Sequence, residues 1–143
     1  MRFARLIVAS IAILAISHSA SAESASNLYL LNCWGCHGSR GEGIIGTAPS
    51  LVHLGDFLKV PGGRAYIMEV PGVAMSSLND AQIALVMNWT LQNLNQSPLP
   101  HDFTPYTADE VHRYRAVRLA DLSKTRRALI DQLIAMKVRS SAE

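Results

Sequence analysis

The sequence predicts an all-α fold, and three observations carry that expectation. Ile83, Val86, Met87, Leu91 and Leu94 recur at helical spacing on one face, with Leu85 and Trp89 widening the stripe. Asn79 followed by Gln82, and Thr107 followed by Glu110, are capping-box starts, in which a side chain at the cap and one three residues on satisfy free backbone N–H groups reciprocally. No run of alternating polar and apolar residues is long enough for a confident strand.

Taken in order, residues 1–22 read as a secretory leader. Arg2 and Arg5 supply a positive start, residues 6–16 an apolar run broken only by Ser10, and Ala20, Ser21 and Ala22 the small residues of a cleavage site. The apolar run is too short to cross a bilayer, which needs roughly 20 such residues. Residues 24–32 predict a short helix with Leu28, Tyr29 and Leu31 available to pack. Four glycines within residues 38–46 make a loop, and Ala48-Pro49-Ser50-Leu51 an extended turn, because a proline disfavours helix in the residue before it. Short helical turns are expected at 56–60 and 64–70, closed by Pro61-Gly62-Gly63 and Pro71-Gly72. The long helix runs from the Asn79 cap, and Ser97-Pro98-Leu99-Pro100 breaks the chain. Beyond it, one helix is expected from Thr107 to about Ala120 and another from a Ser123 cap, with Leu129, Ile130, Leu133, Ile134 and Met136 on its inner side. The expected organisation is a leader at 1–22, a domain at 23–97, and an extension at 98–143 forming a helical hairpin packed on that domain.

The chain has 143 residues, 49% hydrophobic and 17% charged, which suits one globular domain. Charge is unevenly placed. Three basic and six acidic residues lie between positions 23 and 106, against eight basic and five acidic from 107 to 143. Such asymmetry can guide an encounter with a charged partner or simply solvate a helical surface. The arginines are not interleaved with base-stacking aromatics, so nucleic-acid binding is not expected.

The two cysteines lie three apart in Cys33-Trp34-Gly35-Cys36-His37. A disulfide between them would close a tiny loop and constrain the unfolded chain little. C-x-x-C-H is the signature of covalent haem attachment. Two thiols one helical turn apart can each add to a vinyl group on neighbouring porphyrin edges, and the adjacent histidine then supplies an imidazole to the iron. A thiol–disulfide exchange centre would need a strand-rich thioredoxin fold, and zinc would need four suitably spaced ligands; the sequence supplies neither.

With these residues in view, the sequence resembles the class I c-type cytochromes over residues 28–94. The resemblance rests on Tyr29, the Cys33–His37 motif, Gly38, the Ala48-Pro49-Ser50-Leu51 turn and the late helix with Trp89. It implies a cytochrome c-like helical domain around one haem c, bound through Cys33 and Cys36 with His37 on the iron. It also implies that the Pro49 carbonyl accepts a hydrogen bond from His37, and that the first helix crosses the last at Leu28/Leu31 and Leu85/Trp89. Members usually take the second iron ligand from a methionine before the last helix, which implicates Met75, with Met68 and His53 as the alternatives. Arg64 is a candidate partner for a haem propionate, since guanidinium matches a carboxylate. The Pro-Gly-Gly-Arg-Ala-Tyr and Val-Pro-Gly segments and the C-terminal extension point to an atypical subgroup.

The functional expectation is a periplasmic one-electron carrier, not itself an enzyme, acting alone or as the haem subunit of an oxidoreductase. Its partners would be a dehydrogenase or a membrane electron-transfer complex, with no membrane span once the leader is removed. The alternative is a haem-based small-ligand binder or sensor with an open iron position on the Met75 side.

Overall fold

A computed structural model describes residues 24–138, so the leader expected at 1–22 lies outside the described residues. Seven α-helices follow in order: α1 (Ala25–Asn32), α2 (Trp34–His37), α3 (Gly63–Glu69), α4 (Pro71–Ala74), α5 (Asp80–Asn93), α6 (Ala108–Arg115) and α7 (Leu122–Ala135). A 3-10 helix spans Leu54–Lys59. Among the described residues the β content is one isolated bridge between Ile44 and Ala48, so the fold is all-α. No helix among them is long and apolar enough to cross a membrane.

Helix α5 packs against both α1 and α6. Asn79 caps it, and both bonds of the capping box with Gln82 are present. Ile83, Val86, Met87 and Leu91 are buried on one face. Thr90 is buried among them and donates its hydroxyl to the Val86 carbonyl at 2.8 Å, which removes the cost of an unpaired buried polar group. Leu85, expected to widen the stripe, is exposed.

Helix α1 starts on the Ser24 cap and packs on α5 through Leu28 and Tyr29. Leu31 is 73% exposed, against the expectation that it would pack. The geometry explains this: at about 100° per residue, Leu31 points roughly 110° away from the middle of the Leu28–Tyr29 face. Tyr29 meets Trp89 at a ring-centroid distance of 5.4 Å, which fixes where the two helices cross.

Pro71 and Gly72 do not simply end α3. Pro71 opens the one-turn helix α4 from its first position, where a missing N–H costs nothing. The second helix of the extension is capped by Asp121 rather than Ser123. The Asp121 carboxylate accepts the Lys124 N–H at 2.9 Å, and a negative side chain suits a helix start better than a hydroxyl.

The extension departs from the expected hairpin. Helix α6 ends at Arg115, not near Ala120, and packs on α3, α4 and α5; α7 packs on the 3-10 helix and α3. Each helix thus docks mainly on the domain rather than on its neighbour. Tyr106, Val111, Leu129 and Leu133 join Leu28, Ile67, Met68 and Ile83 in one hydrophobic cluster, so the extension completes the core.

Candidate functional site

The motif follows α1 almost without interruption. Cys33 breaks the helix with φ −122°, and its carbonyl then accepts the N–H groups of Cys36 and His37 at 3.2 and 3.0 Å. Both thiols are therefore carried on one tight turn, and neither is in a disulfide. Cys33 is half-buried and Cys36 exposed. Burial, reinforced by Cys36, pushes the Cys33 thiol above its ordinary value. That is the wrong direction for a thiol–disulfide exchange nucleophile, which depends on a lowered value.

The turn is fastened to its surroundings from both sides. The Tyr29 hydroxyl donates to the Gly38 carbonyl at 2.7 Å, tying the end of the motif back to α1. Burial, with smaller contributions from Cys33 and Glu42, pushes that phenol up to about 12, so it stays a donor through neutral pH. On the other side, His37 Nδ1 lies 2.9 Å from the Pro49 carbonyl oxygen. A carbonyl only accepts, so Nδ1 is the donor, and the nitrogen left to face a metal is Nε2. The donor set is thus two thiols on one turn beside an imidazole oriented for coordination, and it fits covalent haem.

The loop delivering Pro49 depends on Gly43. Its N–H donates to the His37 carbonyl at 2.8 Å and its φ is +76°. A Cβ there would lie 2.6 Å from the Ala48 carbonyl oxygen and 2.7 Å from the Ser50 nitrogen. Gly43→Ala should therefore displace the residues on either side of Pro49 and cost about 1–3 kcal/mol in denaturant unfolding. Gly46→Ala is the control. Its φ is +77°, but a Cβ there meets nothing within 4 Å, so only the backbone penalty of about 1 kcal/mol is expected.

The remaining candidates lie elsewhere. Met75 is the residue after α4, 69% exposed, on the connection to α5. Met68 is fully buried in the core and Met87 nearly so, which gives both a packing role. His53 has its Nδ1 3.0 Å from the Ser97 hydroxyl oxygen.

Arg64, expected near a propionate, is turned toward the extension. Its Nε and Nη2 donate to the two carboxylate oxygens of Glu110 at 2.6 and 2.7 Å, and Nη1 to the Thr104 carbonyl at 2.8 Å. Its guanidinium also lies 4.0 Å from the Tyr106 ring centroid. This bidentate pair pulls the Glu110 carboxyl below its ordinary range. With those groups engaged, Arg64 has a structural role in joining α3 to α6.

One residue was missed in the sequence. Arg115, at the end of α6, reaches the connection that carries Met75 and bonds its backbone at several points. A charged residue in a polar stretch gives no local signal of such a long-range contact.

No family profile matches the chain. It is, however, similar to two curated proteins. It is 35% identical over 106 residues to a cytochrome c-552 of Thermus thermophilus, a match covering 61% of this chain and 81% of that protein. It is equally identical, over the same length, to the cytochrome c-552 of one particular Thermus thermophilus strain, of which 72% is covered. Similarity across most of these relatives' length, on an all-α fold with paired thiols beside an oriented imidazole, shows that the chain belongs to the c-type cytochromes, electron-transfer proteins that carry covalently attached haem c.

Proposed function

We propose that this chain is an exported, soluble one-electron carrier in which Cys33 and Cys36 hold the haem and His37 and Met75 ligate its iron. The reading rests above all on the His37–Pro49 hydrogen bond of 2.9 Å. It fixes the tautomer and ring orientation and makes Nε2 a stronger base toward a metal. Haem c, when bound, supplies a reversible ferric–ferrous couple. The chain's own residues do the rest. Two thioether links keep the cofactor from being lost outside the cell, and the Tyr29–Gly38 bond keeps the motif turn against α1. Met75 is the methionine on a loop between helices, whereas Met68 and Met87 belong to the core. A methionine opposite a histidine raises the potential, as suits a carrier.

In this reading residues 1–22 direct export to the periplasm and are removed. Electrons arrive from a dehydrogenase or membrane complex and pass to a second redox protein. The chain transforms no substrate, whether it acts alone or as a permanent haem subunit of an oxidoreductase.

Met75→Ala tests the assignment. The parent ferric protein should show the weak band at the red edge of the spectrum that reports methionine–iron bonding. The variant should lose it, and its reduced form should bind carbon monoxide readily. A parent that lacks the band and binds carbon monoxide as readily as the variant would instead favour a ligand-binding role.

A further inference from the structure

The connection from Met75 to Asn79 is short and has little holding it from within. The Met75 N–H donates to the Pro71 carbonyl at 3.0 Å and the Ser76 N–H to the Val73 carbonyl at 3.1 Å. The Leu78 N–H reaches the Ser76 hydroxyl at 3.2 Å. These bonds use three of the segment's backbone donors. The acceptors beyond the end of a one-turn helix have no intrahelical partner.

Arg115 supplies it. Its Nε and Nη2 lie 3.3 and 3.2 Å from the Ala74 carbonyl oxygen, and Nη2 lies 2.7 Å from that of Ser76. Nη1 lies 2.9 Å from the Leu78 carbonyl oxygen and 2.9 Å from Asp80 Oδ1. One planar guanidinium thus grips the residue before Met75, the residue after it, the end of the loop and the first turn of α5. Only a rigid fork with five donors can do this; an ammonium is a point charge on a flexible stem. The Arg115 side chain is 17% exposed, and Asp80 is held from its other oxygen by His112 at 2.9 Å. The base of this brace is firm as well, because Val111 is fully buried one turn earlier on α6.

We infer that Arg115 is a positioning residue for Met75: through the Ala74, Ser76 and Leu78 carbonyls it holds the loop that presents the thioether to the iron, so that the C-terminal extension forms part of the haem site. The inference rests on the assignment of Met75 as a ligand. A cap that merely stabilised α4 would lower stability without altering how often the thioether leaves the iron. A positioning brace changes that frequency. An incoming ligand binds only when the site is open, so its apparent affinity follows the open fraction.

The test is a titration of the ferric holoprotein with free imidazole, which competes for the position of Met75, followed by its absorption spectrum. Arg115→Gln should bind imidazole about tenfold more tightly than the parent, with Arg115→Lys intermediate. Glu110→Gln loosens α6 at its Arg64 contact and leaves the loop alone, so it should stay within twofold of the parent. If Arg115→Gln does not accumulate folded, Asp80→Asn removes the carboxylate that steadies the guanidinium and should tighten binding about threefold. The inference is overturned if the Arg115 or Asp80 variants stay within twofold of the parent while Met75→Ala binds imidazole far more tightly. It is also overturned if Glu110→Gln shifts as much as Arg115→Gln, since the effect is then general loosening. If Met75→Ala itself leaves imidazole affinity unchanged, the ligand assignment fails, and the inference with it.

Discussion

With Cys33 and Cys36 both replaced by serine, all haem is expected to be extractable into acidified organic solvent, whereas the parent should retain essentially all of it through denaturation. The parent holds its cofactor by carbon–sulfur bonds, which unfolding does not break. The double variant keeps only coordination and packing, and both are lost when the chain unfolds. Each single variant should keep one thioether and remain haem-stained on a denaturing gel. The two positions differ in environment, Cys33 being half-buried and Cys36 exposed. Cys33→Ser therefore also places a hydroxyl in a partly apolar site and should lower stability more than Cys36→Ser. Haem surviving on the double variant after denaturation would refute attachment at these cysteines.

Tyr106→Ala should be the most damaging substitution outside the motif, costing about 3–5 kcal/mol by analogy with other buried aromatic truncations. Domains of this size have only about 5–15 kcal/mol of stability, so the melting temperature should fall by roughly 10–20 °C. Tyr106 is 3% exposed, and three separate bonds converge on it. Its hydroxyl donates to the Arg64 carbonyl at 2.8 Å, its N–H to Asn88 Oδ1 at 2.8 Å, and its carbonyl accepts Asn88 Nδ2 at 3.0 Å. It is the point where the chain leaving α5 is fastened back onto α3 and α5. Tyr106→Phe keeps the ring and loses one hydrogen bond, so its cost should be about 1 kcal/mol. Thermal melts of both variants, followed by circular dichroism, measure the difference; equal losses would mean the ring packing contributes little.

What was legible in the sequence was local. The Cys33–His37 motif, the Asn79–Gln82 capping box and the buried stripe of α5 are each written within a few neighbouring positions. Where the reading failed, the outcome depended on geometry or distance. Leu31 shares a rough periodicity with Leu28 but falls off the packed face of a helix only eight residues long. Ser123 and Asp121 are both competent caps, and choosing between them needs the docked position of α7. The pairing of Arg64 with Glu110, 46 residues on, likewise has no local signature and is revealed only by the fold.

Ion pairs also cross between the two differently charged parts of the chain. Asp80 of the acidic domain meets Arg115 of the basic extension, and Arg64 meets Glu110. Hydrogen bonds from Arg115 and His112 hold the Asp80 carboxyl below its ordinary range. Because one pair runs in each direction, the ion pairs join the two parts of the molecule but leave the charge imbalance between them unchanged.

The contact at the motif and the contact at the Met75 connection also differ in the chain length that must be closed to build them. The contact between His37 and Pro49 spans 12 residues, and that between Arg115 and Ala74 spans 41. Loop-closure entropy grows with the logarithm of length, so the second contact costs about 1 kcal/mol more to form. Contacts distant in sequence also tend to form slowly. During refolding, protection of the backbone around His37 from hydrogen exchange should precede protection of the connection at 74–78, so the docking of α6 would set when that connection is held.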